Sequence, residues 1–286
     1  MNEYVIFADS GCDIPKAVLE EWGVKYCDLL VTFVGESRTY PDSELAPITL
    51  YNRMRNGESA KTSAINVETF TTCFEEEAKK GKDILYLGFS SGLSSTFHSA
   101  ELAMKALSEK YEGQRFVAVD SLAASAGFGL LLYMLVEMKK EGKSIDELAA
   151  FATEKRGNVC HWFTVDNLDY LKRGGRISPT LAFVGNLLGI KPVLHVDDAG
   201  HLVNVSKVKG RRAALKALAD KFGEDAEENS PIFISHADCL KDAELLEGML
   251  KASYGRVADR VVEIGAVIGS HAGPGTIALF FFGKQR

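Results

Sequence analysis

The chain has no Cys-x-x-Cys pair, no long basic run, no apolar stretch of membrane-spanning length and no nucleotide loop of the form Gly-x-x-x-x-Gly-Lys-Ser/Thr. Each absence removes a class of function. The five cysteines, Cys12, Cys27, Cys73, Cys160 and Cys239, are odd in number and widely spaced, so they read as free thiols in a reducing compartment rather than as a zinc or redox site. With 33 Lys and Arg against 39 Asp and Glu, a net charge of −6 and a pI of about 5.6, the surface offers nucleic acid no broad positive field. The start, Met1-Asn2-Glu3-Tyr4, lacks the basic and apolar regions of a signal peptide. The most apolar stretch, residues 128–136, falls short of the ~20 residues a membrane span needs. A soluble, cytoplasmic protein is expected, with no metal and no cofactor. Phosphoryl transfer needs a held nucleotide, so the chain is not expected to be a complete enzyme for that chemistry.

What is present is 286 residues, 46% of them hydrophobic, enough for a sizeable core. Two domains are expected, residues 1–157 and 158–286. In the first, apolar runs of strand length alternate with helical periodicity, which implies an α/β domain on a mostly parallel sheet. Strands are expected at 4–8, 24–30, 84–87 and 115–119, and helices after Pro15, at 47–54, 67–78 and 124–141, with Asn66 and the Ser144/Glu147 pair as caps. The second domain mixes strands at 159–165, 191–195, 201–208, 232–235, 260–264 and 277–282 with helices at 211–222 and 240–254. The signal Asp197-Asp198-Ala199-Gly200 joins two of those strands as a hairpin, and the whole reads as α+β.

Chemistry concentrates in the turns. After residues 84–87 comes Gly88-Phe89-Ser90-Ser91-Gly92-Leu93-Ser94-Ser95-Thr96, ahead of a helix carrying Ala100, Ala103, Met104 and Leu107 on one face. A helix N-terminus has unpaired N–H groups and partial positive charge, so Ser94 and Ser95 either cap the helix or present donors to a carboxylate or phosphate. Lys61-Thr62-Ser63-Ala64-Ile65 is read as a second hydroxyl-bearing turn ahead of a helix, and the two together are expected to converge on one anion. Asp9-Ser10 and Asp120-Ser121 stand at strand ends, where open α/β sheets gather ligands and where Asp also serves as a turn cap. Lys172-Arg173-Gly174-Gly175-Arg176 crowds three cations into one loop suited to an anion or an acidic partner. Residues 267–276, with His271, read as a glycine-shaped loop. The other histidines, at 98, 161, 195, 201 and 236, have no such context.

Two functions fit these turns. Gly88-Phe89-Ser90-Ser91-Gly92 matches the nucleophile elbow of α/β hydrolases, and Ser90, then Asp238 or Asp259, then His271 follows their order. The helix, however, starts several residues too late for an elbow, and no separate Gly-rich oxyanion loop is present.

The second function comes from a resemblance that runs nearly end to end. Phe7-Ala8-Asp9-Ser10, Lys61-Thr62-Ser63, residues 92–100, Val119-Asp120-Ser121, residues 168–178, Lys191-Pro192-Val193-Leu194 and Gly269-Ser270-His271-Ala272-Gly273-Pro274-Gly275 resemble the DegV family. Its members bind a fatty acid, and one branch serves as the acyl-binding subunit of bacterial fatty acid kinase. The resemblance implies a DegV-like fold in which an N-terminal α/β and a C-terminal α+β domain enclose the acyl chain in an apolar tunnel. It implies that Thr62, Ser94 and His271 hold the carboxylate, with Ser63 and Ser95 as flanking donors and Arg173 or Arg176 near the mouth. It also implies a long-chain fatty acid as ligand and an ATP-binding kinase subunit as partner. The chain departs from the family pattern at Ala64-Ile65-Asn66, where Gln-Pro-Ser is usual, and at Ser95, where Gly is usual.

Overall fold

The computed structural model describes residues 3–177 and 189–286. Ser178, Pro179 and the last residue of the 168–178 match lie outside the described residues. A parallel four-stranded sheet has the order β2-β1-β6-β7, built from β1 (Tyr4–Asp9), β2 (Val24–Cys27), β6 (Asp83–Gly88) and β7 (Phe116–Asp120). Burial follows position in the sheet. Every residue of the central strand β6 is buried, whereas the edge strand β2 is buried only at its two ends, as expected when helices cover both faces of the middle strands.

A small antiparallel sheet, β4-β3-β5, sits beside it, formed by β3 (Leu30–Phe33), β4 (Thr39–Pro41) and β5 (Ala60–Ser63). This corrects two sequence expectations. Residues 24–30 do not form one strand: the chain breaks at Asp28, whose carboxylate accepts the Ser43 N–H and hydroxyl. Nor is Lys61-Thr62-Ser63 a turn. It is strand, because β3 pairs with it at Val31↔Thr62, a partner about thirty positions away that local periodicity does not reveal.

The second half of the chain supplies a six-stranded sheet, β10-β9-β8-β13-β11-β12. Its strands are β8 (Val159–Thr164), β9 (Ile190–Val196), β10 (Leu202–Lys209), β11 (Phe233–His236), β12 (Arg260–Glu263) and β13 (Ile277–Phe282). All pairings are antiparallel except β11 with β12. The central β8 and β13 are wholly buried.

Helices α1 (Lys16–Glu21), α2 (Pro47–Arg55), α3 (Val67–Ala78) and α4 (Thr96–Lys110) serve the first sheets. Asn66 Oδ1 accepts the Thr69 N–H at 2.8 Å, and Ser144 with Glu147 closes the capping box of α6 (Ile145–Lys155). Between the two large sheets lies α5 (Ser125–Lys140), apolar nearly all round and packed against β8, β11 and β13. One apolar cluster therefore joins Ile6 and Leu85 of the parallel sheet, Leu130 and Leu131 of α5, and Phe163 and Phe280 of the six-stranded sheet. Helices α7 (Asp169–Arg173), α8 (Arg211–Asp225) and α9 (Leu240–Tyr254) belong to the second half.

The segment expected as a final loop instead contains helix α10 (Ala266–Ala272). Residue 269 is glycine because the fold presses a ring onto that helix face: a Cβ there would lie 2.5 Å from the Tyr51 hydroxyl. Among the described residues no helix is long and apolar enough to cross a membrane, and no group of three or more His, Cys, Asp and Glu is placed to hold a metal ion.

Candidate functional site

Thr62 and His271, 209 residues apart in sequence, meet with Oγ1 and Nε2 at 2.7 Å. Strand alternation on β5 aims Thr62 toward α10 while Ser63 faces outward, exposed. His271 stands in the last turn of α10, with its other nitrogen against Gly174; a Cβ at residue 174 would fall 2.1 Å from Nδ1. Burial, and then the charge of Arg176, push the His271 pKa down to about 4, so the ring is neutral near pH 7.

The pair opens on a cavity of about 310 Å³. Leu29, Leu93, Leu171, Leu202, Val267 and Ile268 supply much of its apolar wall, and Phe163, Ala278 and Phe280 of the six-stranded sheet supply more. Ser94 and Ser95 also line it. Ser94 Oγ accepts the Thr96 N–H at 3.2 Å and lies 2.9 Å from Thr96 Oγ1, so its hydroxyl is held at the positive end of the 15-residue helix α4. Ser95 takes the N-cap position without a side-chain capping bond. The structure thus brings Thr62, Ser94, Ser95 and His271 to one cavity, and it does not bring Ser63.

Arg173 lies outside the cavity itself, in the cleft next to it. Its guanidinium is exposed, donates to Ser59 Oγ at 2.9 Å, and lies 4.8 Å over the Tyr170 ring, in an outer cleft beyond Thr62. Arg176 is the cation that reaches the cavity. It is half-buried, donates to the Gly174 carbonyl and has its pKa lowered by desolvation alone; among the described residues no carboxylate pairs with it. Choosing between Arg173 and Arg176 requires knowing which way a two-glycine loop turns, and sequence spacing does not say.

Four further residues were invisible as site components. Helix α10 has no cap of its own: Asp13 Oδ1 accepts the Gly265 N–H at 2.9 Å, and Asp42 Oδ1 accepts the Val267 N–H at 3.0 Å. Burial raises the Asp13 pKa well above the carboxylate range and raises that of Asp42 to about 7. Tyr51 donates to the Ile264 carbonyl at 2.7 Å. Carboxylates and a phenol from the first 51 residues therefore seat the helix that carries His271. The signal available was only an Asp ahead of Pro15 and another after Pro41. His161, passed over in the sequence, lines the cavity too; its Nδ1–H donates to the Val159 carbonyl at 2.9 Å and burial keeps the ring neutral.

The strand-end Asp-Ser pairs turn out to hold loops rather than ligand. Asp9, fully buried, accepts from the Tyr86 hydroxyl at 2.7 Å, the Phe89 N–H at 2.9 Å and the Gly11 N–H at 3.0 Å. Asp120 accepts from the Ser91 and Leu122 N–H groups, and Ser121 donates to the Gly88 carbonyl at 2.6 Å.

The hydrolase constellation is not assembled. Ser90 is fully buried, donates to the Gly200 carbonyl at 3.0 Å and accepts the Gly92 N–H. Asp238 pairs with Arg55, Asp259 accepts the Ile232 N–H, and His271 is engaged with Thr62. The expected elbow serine fastens the β9–β10 hairpin to the β6–α4 loop instead.

Comparison with known proteins follows this geometry. The DegV family model, described as "Uncharacterised protein, DegV family", matches residues 3–284. A DegV domain-containing protein of Clostridium perfringens is 46% identical over 290 residues, covering 100% of this chain and 99% of its own. A protein of Thermotoga maritima named as a fatty acid-binding protein is 34% identical over 281 residues, 95% of each chain. The solved structure of a DegV family protein from Thermus thermophilus, described by its fatty acid binding, superposes with a TM-score of 0.88 at 30% identity, covering 99% of this chain and 100% of that one. With a family model spanning almost every residue and relatives matched over their full length, this chain belongs to the DegV family.

Proposed function

We propose that the cavity holds a long-chain fatty acid, with its carboxylate on Thr62, Ser94 and His271 beside Arg176, and presents that carboxylate to a partner kinase for acyl-phosphate formation. The observation that carries this reading is the Thr62–His271 pair at 2.7 Å on the wall of an otherwise largely apolar cavity. Relatives named for fatty acid binding support the same ligand class. We take residues 1–157 and 158–286 as the two domains that close on the ligand, and assign the activity to the cytoplasm, where nucleotide for the transfer is available.

The magnitudes divide the work. An acyl chain of ~14 methylenes at ~0.8 kcal/mol each contributes about 11 kcal/mol of gross transfer free energy. Charge-assisted hydrogen bonds at the head add about 1.5–3 kcal/mol each, before association costs of several kcal/mol. The tail sets affinity, and the head-group residues set orientation. A carboxylate at the site gives the half-buried Arg176 the anionic partner it lacks among the described residues. The outer cleft, of about 470 Å³ and lined by Lys61, Arg173, Thr62 and His271, is the approach from which an anionic phosphoryl donor would reach that carboxylate.

The first test is denaturing extraction of the purified, untreated protein followed by mass spectrometry for small molecules. A stoichiometric fatty acid is expected; folded protein without lipid that also takes up none when it is offered overturns the reading. With a partner kinase, Thr62→Ala and His271→Ala should each lower acyl-phosphate formation more than fatty acid affinity. Equal loss of both ends the division between tail and head.

A further inference from the structure

Cys27 and Cys73, unremarkable in sequence, are brought together by the fold. Cys27 ends the edge strand β2 and is paired in register with Asp9, while Lys25, two residues earlier and on the same face, pairs with Phe7. That face is covered by α3, because the Phe7 ring meets Phe74 edge-on at 5.0 Å between centroids. Two cross-connections follow from these periodicities. Lys25 reaches Glu77 at 3.9 Å, and moving two residues along the strand and four back along the helix, each roughly 6 to 7 Å, replaces that ion pair with Cys27 and Cys73. Cys73 accordingly packs against the apolar cluster that contains Cys27, where α3 meets β2.

Exposure assigns the roles of the two sulfurs. Cys27 is 3% exposed and sheltered in the core, whereas Cys73 is partly exposed and within reach of a peroxide arriving from solvent. We propose that Cys73 and Cys27 are the attacking and resolving thiols of a hydroperoxide-sensitive pair that closes a reversible disulfide between β2 and α3. The Cys73 thiolate attacks the peroxide: an S–O bond forms, the O–O bond breaks, and the alkoxide or hydroxide leaving group takes up a proton. The Cys27 sulfur then displaces hydroxide from the sulfenic acid, so that the S–S bond forms, the S–O bond breaks, and water leaves with the Cys27 proton. Two thiols lose two electrons and two protons in total, and the hydroperoxide is reduced to an alcohol, or to water, plus one further water. Cys12 and Cys160, buried, and Cys239, whose thiol donates to the Thr276 carbonyl at 3.3 Å, are internal references.

The full-length protein is treated with hydrogen peroxide, alkylated under denaturing conditions, and proteolysed without reductant. The expected peptide map joins the Cys27 and Cys73 peptides, lighter by two hydrogens than their sum and separated again by dithiothreitol, while the other three cysteines stay alkylated. The oxidised protein should melt several degrees higher, since the bridge constrains the unfolded chain between residues 27 and 73. In Cys27→Ser, dimedone should capture Cys73 as its sulfenic acid; in Cys73→Ser, Cys27 should stay unoxidised. Both thiols alkylated at a peroxide dose that oxidises glutathione, or a dimedone adduct on wild-type Cys73 with no bridge, overturns the proposal. The wild-type map decides alone, whatever the variants do to folding.

Discussion

Two hydroxyls of the first half, Ser90 and Thr62, stand in turns or strands that look alike in sequence and are used in opposite ways. In the β6–α4 loop, Ser90 donates to the Gly200 carbonyl, accepts a loop N–H and is fully buried. Among the described residues the Thr62 hydroxyl has one partner, the neutral His271, and both line the cavity. The neighbouring Asp9 belongs with Ser90, since both of its oxygens accept buried donors. A polar group surrounded by donors and acceptors of its own chain holds the fold together, whereas one that reaches a cavity with capacity to spare is available to a ligand.

The comparison is broken most forcefully at Asp9. Asp9→Ala leaves a buried phenol and two buried N–H groups unpaired, at about 1–3 kcal/mol each, so a loss of several kcal/mol in chemical denaturation is expected. A loss under 1 kcal/mol would remove Asp9 from the structural class.

A smaller effect separates Ser90 from Thr62. Ser90→Ala should cost about 1–3 kcal/mol of stability with little change in the ligand affinity of the folded protein. Thr62→Ala should do the reverse, with stability changed by less than about 1 kcal/mol and the head-group chemistry impaired. Parallel losses in the two variants would collapse the distinction.

The pH dependence tests the carboxylates against the histidines. Asp9 is raised to about 6 and Asp42 to about 7, both above their unfolded values, so their contribution to stability is complete below about pH 4 and is lost as pH rises through 6 to 7. His195 and His271 are lowered to about 4 by burial, so theirs is present above pH 6.5 and is lost as pH falls toward 4. Asp42→Asn keeps an acceptor for the Val267 N–H and should remove a fall in stability with rising pH between about pH 4 and 7. An unchanged slope would show that Asp42 is ionised throughout that range.

The smallest expected effect is at Ser63. It is exposed on the outer face of β5, so Ser63→Ala should leave both stability and ligand retention within error. A measurable loss of retention would return Ser63 to the head-group set.

The legible part of the fold was the local part. Alternating strand and helix periods, the Asn66 cap, the Ser144 capping box and the β9–β10 hairpin stand where they were read. Expectations failed where distant residues override local signals. Gly269 lies in a helix whose first N–H groups are taken by the distant Asp13 and Asp42, and Thr62 joins a strand because Val31 pairs with it. The same holds at the site. Thr62, Ser94 and His271 were readable as hydroxyls ahead of helices and a histidine among glycines, but Arg176 was separable from Arg173 only by the turn of their loop, and Asp42 as the cap of α10 only by a contact 225 residues long.

By itself the sequence determined most of the strands and helices, the α/β-then-α+β order and which residue types are available for an anion, because period, turn chemistry and side-chain composition act over a few residues. Only the tertiary structure decided which hydroxyls are consumed, which arginine meets the cavity and which two cysteines touch. Those outcomes depend on strand register and helix docking across more than forty residues of chain, where alternatives with identical local sequence differ only in the partners they bring together.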